Sequence, residues 1–248
     1  MTSAGERIRS LCSFLILRKP FVDALSLCMI MAEREAQSRS ELLPGLYVYV
    51  YIFAMFFAGT MLSFGDQKSL FALLAAGFSA SFSVISHSIM APVDPWLKVR
   101  MVVRDAATVG MYIIIASRGV ERLERRYRLA WMYQYGCALL TAFFCITAFQ
   151  LNRSPQEQGA LNFPYYIGEF TKIILAGTFM VCGLLLASDR KTKTVSSILV
   201  VSQLLYISLV EMRIHYWTKK LKVELSTQVD LIISSFYILI ILLLIALK

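Results

Sequence analysis

The sequence predicts an all-α, polytopic transmembrane helix bundle of about eight spans. Three observations predict it. Hydrophobic residues make up 58% of the 248 positions, and the mean hydropathy is +0.64. The charged residues gather mostly in short stretches between apolar runs long enough to cross a hydrocarbon core of roughly 30 Å. No polar stretch reaches even twenty residues. That leaves no room for a soluble domain, so residues 1–248 read as a single multi-pass membrane domain.

The net charge of +9 does not point to nucleic acid. In a membrane protein, Lys and Arg in short loops report orientation and contact with anionic headgroups. The expected partners are therefore the bilayer itself and anionic headgroups or a membrane or cytoplasmic protein. Cys12, Cys28, Cys137, Cys145 and Cys182 all fall inside apolar segments, as small buried residues do, rather than in a disulfide or zinc framework. His87 and His215 lack ligand spacing and read as packed or interfacial residues. No metal cluster, nucleophile elbow or phosphate loop is present, so neither an enzyme nor a cofactor is expected. No cleavable leader or lipidation motif is expected either. Insertion into the membrane then rests on the spans, and which membrane they enter is left open.

Taken in order, residues 11–32 form an apolar run interrupted by Arg18, Lys19, Pro20 and Asp23. Either the whole run crosses with a proline kink, giving eight spans, or it lies partly in the interface, giving seven. A charged link, 33–41, follows. The clear spans are 43–64, 70–91, 98–117, 129–151, 163–188, 195–214 and 229–247. Tyr47, Tyr49 and Tyr51 near one start, Tyr165 and Tyr166 near another, and Trp96, Trp131 and Trp217 at predicted ends read as aromatic belts. Ala75, Ala76, Gly77, Ser79 and Ala80 suit close helix packing. The arginine-rich link, with Arg118, Arg122, Arg125, Arg126 and Arg128, favours its side as cytoplasmic and is a candidate basic contact. Asn152-Arg153-Ser154 is a formal glycosylation sequon at the edge of a span.

A weaker pattern recurs four spans apart. Asp66-Gln67-Lys68 and Asp189-Arg190-Lys191 link corresponding span pairs, each preceded by a span opening at Pro44 or Pro164. Trp96 with Lys98 and Trp217 with Lys222 lead into spans carrying Asp105 and Asp230 respectively. An even offset preserves orientation, so a true duplication would be a parallel 4+4 repeat. Chance matches of common residues are the alternative.

The segment 94–117 organises the candidate chemistry. Its apolar second half is too short to span, so the helix must begin near Lys98, which carries Arg104 and Asp105 roughly 10 Å into the membrane. Isolated charges there cost at least ~2.5 kcal/mol each, so they should pair, snorkel or face the bundle interior. Arg100, Arg104 and Thr108 share a face, with Asp105 beside it. A second constellation, Tyr165, Glu169 and Lys172, has helical spacing with Lys172 near mid-membrane. A third, Glu211, Arg213 and Asp230, sits near span ends and reads as structural. For the first two, one reading is a polar route lined by Arg100, Arg104, Asp105, Glu169 and Lys172. The other is internal neutralisation, Arg104 with Asp105 and Glu169 with Lys172.

Several short runs resemble the transmembrane protein 101 family. They are Ala32-Glu33-Arg34-Glu35-Ala36, Met61-Leu62-Ser63-Phe64-Gly65, Trp96-Leu97-Lys98-Val99-Arg100-Met101, Ala116-Ser117 and Tyr216-Trp217, in matching order along nearly the whole chain. The resemblance implies a multi-pass membrane protein of about eight spans without enzymatic activity, associated with activation of nuclear factor kappa-B signalling. It assigns no active residues. Two functions remain: a non-enzymatic protein acting through protein or lipid partners, which the plausible local pairing of each buried charge favours, and an ion or small-solute transporter or channel.

Overall fold

The computed structural model describes residues 4–36, 45–65, 67–89, 94–118, 126–161, 165–188 and 191–247. Every regular element among them is helical: α1 (Ala4–Leu17), α2 (Lys19–Ala36), α3 (Gly45–Phe64), α4 (Lys68–Ile89), α5 (Pro95–Arg118), α6 (Arg126–Arg153), α7 (Pro155–Ala160), α8 (Tyr165–Ala187), α9 (Thr192–Tyr206) and α10 (Leu225–Ala246). Two π-turns, Ile207–Glu211 and Tyr216–Lys220, lie between α9 and α10.

Among the described residues, six helices are long and apolar enough to cross a membrane: α3, α4, α6, α8, α9 with its π-turn, and α10. The expected spans match them to within about a turn, because hydrophobic run length sets both. The eight-span expectation adds α5 and the 11–32 run. At 24 residues, α5 is about 36 Å long, and it packs against α4, α6 and α10, with Arg100 and Arg104 buried and the Asp105 side chain 41% exposed.

The 11–32 run is not one kinked helix. It breaks at Arg18 into α1 and α2, and Pro20 falls in the first turn of α2, where its missing N–H removes no helical hydrogen bond. Helix α1 packs on α10 and buries Cys12 and Ile16, while Ile8, Leu11 and Phe14 stay exposed.

The helices pack as two closed rings with a common wall. In the first, α2, α3, α4, α5 and α10 contact one another in sequence, and α10 returns to α2. In the second, α5 contacts α6, α6 contacts α8, α8 contacts α9, and α9 contacts α10. Helices α5 and α10 belong to both. They run parallel, since Arg100 meets Gln228 and, further along, Arg104 meets Ser235. The neighbour order α2–α3–α4–α5 is matched by α6–α8–α9–α10, an arrangement compatible with the 4+4 pattern. Of its sequence markers, Pro44, Asp66, Pro164, Asp189 and Arg190 lie outside the described residues.

The tightest helix contact is α5 on α6. A Cβ at Gly110 would lie 2.8 Å from the Leu139 Cβ and 2.9 Å from the Gly136 carbonyl oxygen, and one at Gly136 would lie 2.7 Å from the Gly110 carbonyl oxygen. Only glycine permits that approach. In the stretch expected to pack closely, Ala75, Ala76 and Ser79 are buried but Gly77 faces outward with nothing near it. Gly110→Ala should therefore lower the thermal midpoint of the detergent-purified protein by several degrees, whereas Gly77→Ala should not. Equal midpoints for the two variants would remove the close contact as a source of stability.

Candidate functional site

Adjacent residues on the shared helices divide between the two rings. On α5, Arg100 and Arg104 enter the second ring, while Met101 and Asp105 line a cavity in the first. On α10, Gln228 and Ser235 enter the second ring, while Thr227 and Ser234 line that cavity. One residue along an α-helix is a turn of about 100°, enough to place neighbours on opposite sides of a wall one helix thick.

The second ring holds a buried cluster of two arginines and two glutamates. Arg104 pairs with Glu211 through Nη2, and Ser235 accepts from Arg104 Nε at 3.2 Å while donating to Glu211 at 2.9 Å. Arg100 lies 3.4 Å from Glu157 and 3.7 Å from Glu211, with its guanidinium 3.9 Å from the centre of the Trp217 ring. Tyr206 donates to the other Glu157 oxygen at 3.1 Å. All four charged groups are at most 2% exposed. Two positive and two negative charges leave the cluster neutral, which is how a low-dielectric interior tolerates them.

Local sequence explains how both glutamates arrive there. Glu157 is on α7, which opens with Ser154 as N-cap accepting from the Glu157 backbone N–H, and with Pro155 in its first turn. That Ser-Pro-x-Glu start is a helix-opening signature. It was the available signal for Glu157, whose side chain turns to Arg100 and Tyr206. Glu211 ends a π-turn. In α-helical geometry residues five apart point in different directions, but in a π-turn they become neighbours. Glu211 therefore joins Tyr206 on the buried face. Sequence periodicity carries no sign of such a turn, and Glu211 was read as a span-end residue for that reason.

Trp217, read as a belt residue, is fully buried and donates to the Val210 carbonyl at 2.8 Å. Tyr51 also leaves the belt reading, because it is buried in the cavity wall. Internal pairing of Arg104 with Asp105 is replaced by Arg104 with Glu211 and Asp105 with His87, at 2.9 Å.

The first ring encloses a cavity of ≈ 100 Å³. Lys19 pairs with Asp23, which also accepts from Tyr112 at 2.8 Å. Asp105 and His87 face the same space, and so does Asp230 from α10. At the far end of α2, Arg34 Nε donates to both Glu224 oxygens at 3.3 and 3.1 Å, and Glu33 accepts from the Leu225 and Ser226 N–H groups at 3.1 and 2.7 Å. Glu33 thereby satisfies open donors at the start of α10 and ties it to the end of α2.

The remaining expected site residues lie elsewhere. Glu169 and Lys172 pair with each other at 2.5 Å on α8, with Glu169 44% exposed. Helix α8 packs between α6 and α9, so this pair sits in the second ring's wall. Arg122 and Arg125 lie outside the described residues, as do the side chains of Arg118, Arg126, Arg128, Tyr165 and Tyr166.

Apolar helices in a closed bundle with a charged interior define a multi-pass integral membrane protein. The model of the TMEM101 protein family matches residues 3–248. The chain belongs to that family. No solved structure matches it.

Glu211 contacts both arginines and supplies one of the two negative charges that balance them, so its loss leaves one buried positive charge uncompensated. Glu211→Gln should cost about 3–5 kcal/mol of stability, measured as thermal midpoint and yield of monodisperse protein. Combining it with Arg104→Met should recover part of the loss. A Glu211→Gln protein as stable as the parent would mean that charge does not hold the cluster.

Proposed function

We propose that this protein is a non-enzymatic transport protein with eight spans in a duplicated four-plus-four arrangement, moving a small solute through the five-helix ring. One observation carries the reading. The cavity wall includes Lys19, Asp23, Leu27, Ile30 and Arg34 of α2, a strip about 22 Å long at 1.5 Å per residue. A strip of that length approaches the ~30 Å of a hydrocarbon core. It places ionisable groups from four helices along one path, where intramembrane charge ordinarily marks a solute or proton route.

The two rings supply the two parts that such a protein needs. The neutral cluster of the second ring is a rigid support that fixes α5 and α10, and the first ring is the variable space. The clasp of Arg34 on Glu224 lies at one end of this strip, and the Lys19, Asp23 and Tyr112 contacts lie at the other. By the arginine-rich link, the Lys19 end is cytoplasmic. Action through protein or lipid partners, including any tie to nuclear factor kappa-B signalling, would run through Arg118–Arg128, whose side chains the structure does not describe.

The test uses neighbouring residues. In a protein lacking Cys12, Cys28, Cys137, Cys145 and Cys182, single cysteines are placed at Ser234 and Thr108 in the first ring and at Ser235 in the second. Labelling by a membrane-impermeant thiol reagent is then measured from each side of the membrane. We expect labelling at 234 and 108 and protection at 235. Protection at all three positions would mean that the first ring is dry and would sink the transport reading.

A further inference from the structure

We propose that the cavity of the first ring is a binding site for one small monovalent cation, of the alkali or primary ammonium class, held between Asp105 and Asp230. The inference deepens the transport reading and rests on it for the identification of the cavity as a solute site.

The charge inventory of the cavity comes first. Three carboxylates face it: Asp23, Asp105 and Asp230. Their charges lie close enough to act on one another. Two cations share the wall, and each is already engaged, Lys19 with Asp23 and Arg34 with Glu224. Asp105 has His87 at 2.9 Å. Asp230 has the Ser26 hydroxyl and, more distantly, Lys19. The wall therefore sets three carboxylates against two permanent cations, Lys19 and Arg34. That contrasts with the second ring, where two arginines meet two glutamates. Asp105 keeps 41% of its side chain exposed, and a carboxylate beyond those matched by fixed cations, facing a space inside a bundle of apolar helices, calls for a cation or a proton.

Size selects among cations. A volume of ≈ 100 Å³ is below the 150 Å³ of an engineered cavity that admits benzene. A partly hydrated alkali ion or methylammonium fits, and a drug-sized amine does not. The chemistry of the wall agrees. Ser86, Thr108 and Ser234 add hydroxyl oxygens, the hard ligands that such ions prefer. Tyr51 and Phe82, stacked with ring centres 4.1 Å apart, offer aromatic surface to a cation.

The histidine on Asp105 leaves one ring nitrogen unengaged. His87 is 7% exposed, and its Nε2 meets Asp105. Its Nδ1 is buried without a hydrogen-bond partner, the condition of a group set to meet a ligand or a ligand's water. The groups able to take up a proton in competition with the cation are Asp23 of α2, His87 of α4, Asp105 of α5 and Asp230 of α10, with Lys19, Tyr51 and Tyr112 facing them.

The experiment is a thermal-stability titration of the full chain, purified in detergent. Sodium, potassium and methylammonium chlorides replace N-methylglucamine chloride at constant ionic strength, at pH 8 and again at pH 5. We expect a saturable rise in midpoint with at least one small cation, and a half-saturation concentration at least tenfold higher at pH 5. Asp230→Asn should abolish the rise. Should that variant fail to fold, Ser234→Ala keeps the charge and should raise the half-saturation concentration several-fold. No saturable rise with any of the three cations, or a rise unchanged in both variants, overturns the proposal. Thiol labelling of the first ring without any cation response would leave the route standing and remove only its solute class. A cation response without labelling would keep the site and remove the route.

Discussion

Glu211 is the group on which the interior of this bundle depends. It lies within ion-pair distance of both Arg100 and Arg104, and it accepts from Ser235 through the same oxygen that meets Arg104. Its backbone carbonyl accepts from Gln228 at 2.9 Å. One residue at the end of a π-turn thus joins α9, α5 and α10. A guanidinium left alone in that interior would bear a desolvation cost of several kcal/mol. The arginines of α5 can be inside only because Glu211 and Glu157 are there to meet them.

That neutral cluster has a geometric consequence. With α5 and α10 fixed side by side, each presents a second face to the other ring. The residues on that face, Asp105 and Thr108 on one helix and Asp230 and Ser234 on the other, form the cavity wall opposite the residues of α2 and α4. The two rings therefore differ in electrostatic kind. One is filled by matched charges and by an aromatic series running Phe143, Phe144, Phe179 and Tyr206 across α6, α8 and α9. The other keeps a space lined by groups whose charges are unequal in number. Membership in the TMEM101 family and the multi-pass helical architecture are established by the family match and by the six apolar helices.

The clasp between α2 and α10 shows how ends nearly two hundred positions apart close the first ring. Glu33 and Arg34 belong to one of the runs that resemble the family, Ala32 to Ala36. In isolation the run is only a charged helix end. Its role appears when Glu224 and the open N–H groups of α10 are brought against it. The same holds for Trp217, whose place at a predicted span end suggested the interface, and which instead covers the Arg100 guanidinium.

The sequence by itself determined the class, the helices and the importance of α5. Apolar run length must match the hydrocarbon thickness, so the spans and their approximate ends were legible, and charges at Arg100, Arg104 and Asp105 inside a span had to pair, snorkel or face the interior. It also placed Glu169 and Lys172 within contact of each other, because three residues apart on a helix is a contact distance, while leaving open whether they pair or line a route. Only the tertiary structure decided which partners the α5 charges take. Glu157 and Glu211 are brought in by a short helix and a π-turn, and His87 by the antiparallel approach of α4. Lys19 and Asp23 were visible only as interruptions in a first apolar run, and became cavity residues once the chain broke at Arg18. Such pairings join positions tens to more than a hundred residues apart, and helical periodicity reports the face a residue occupies without naming the helix that will meet it.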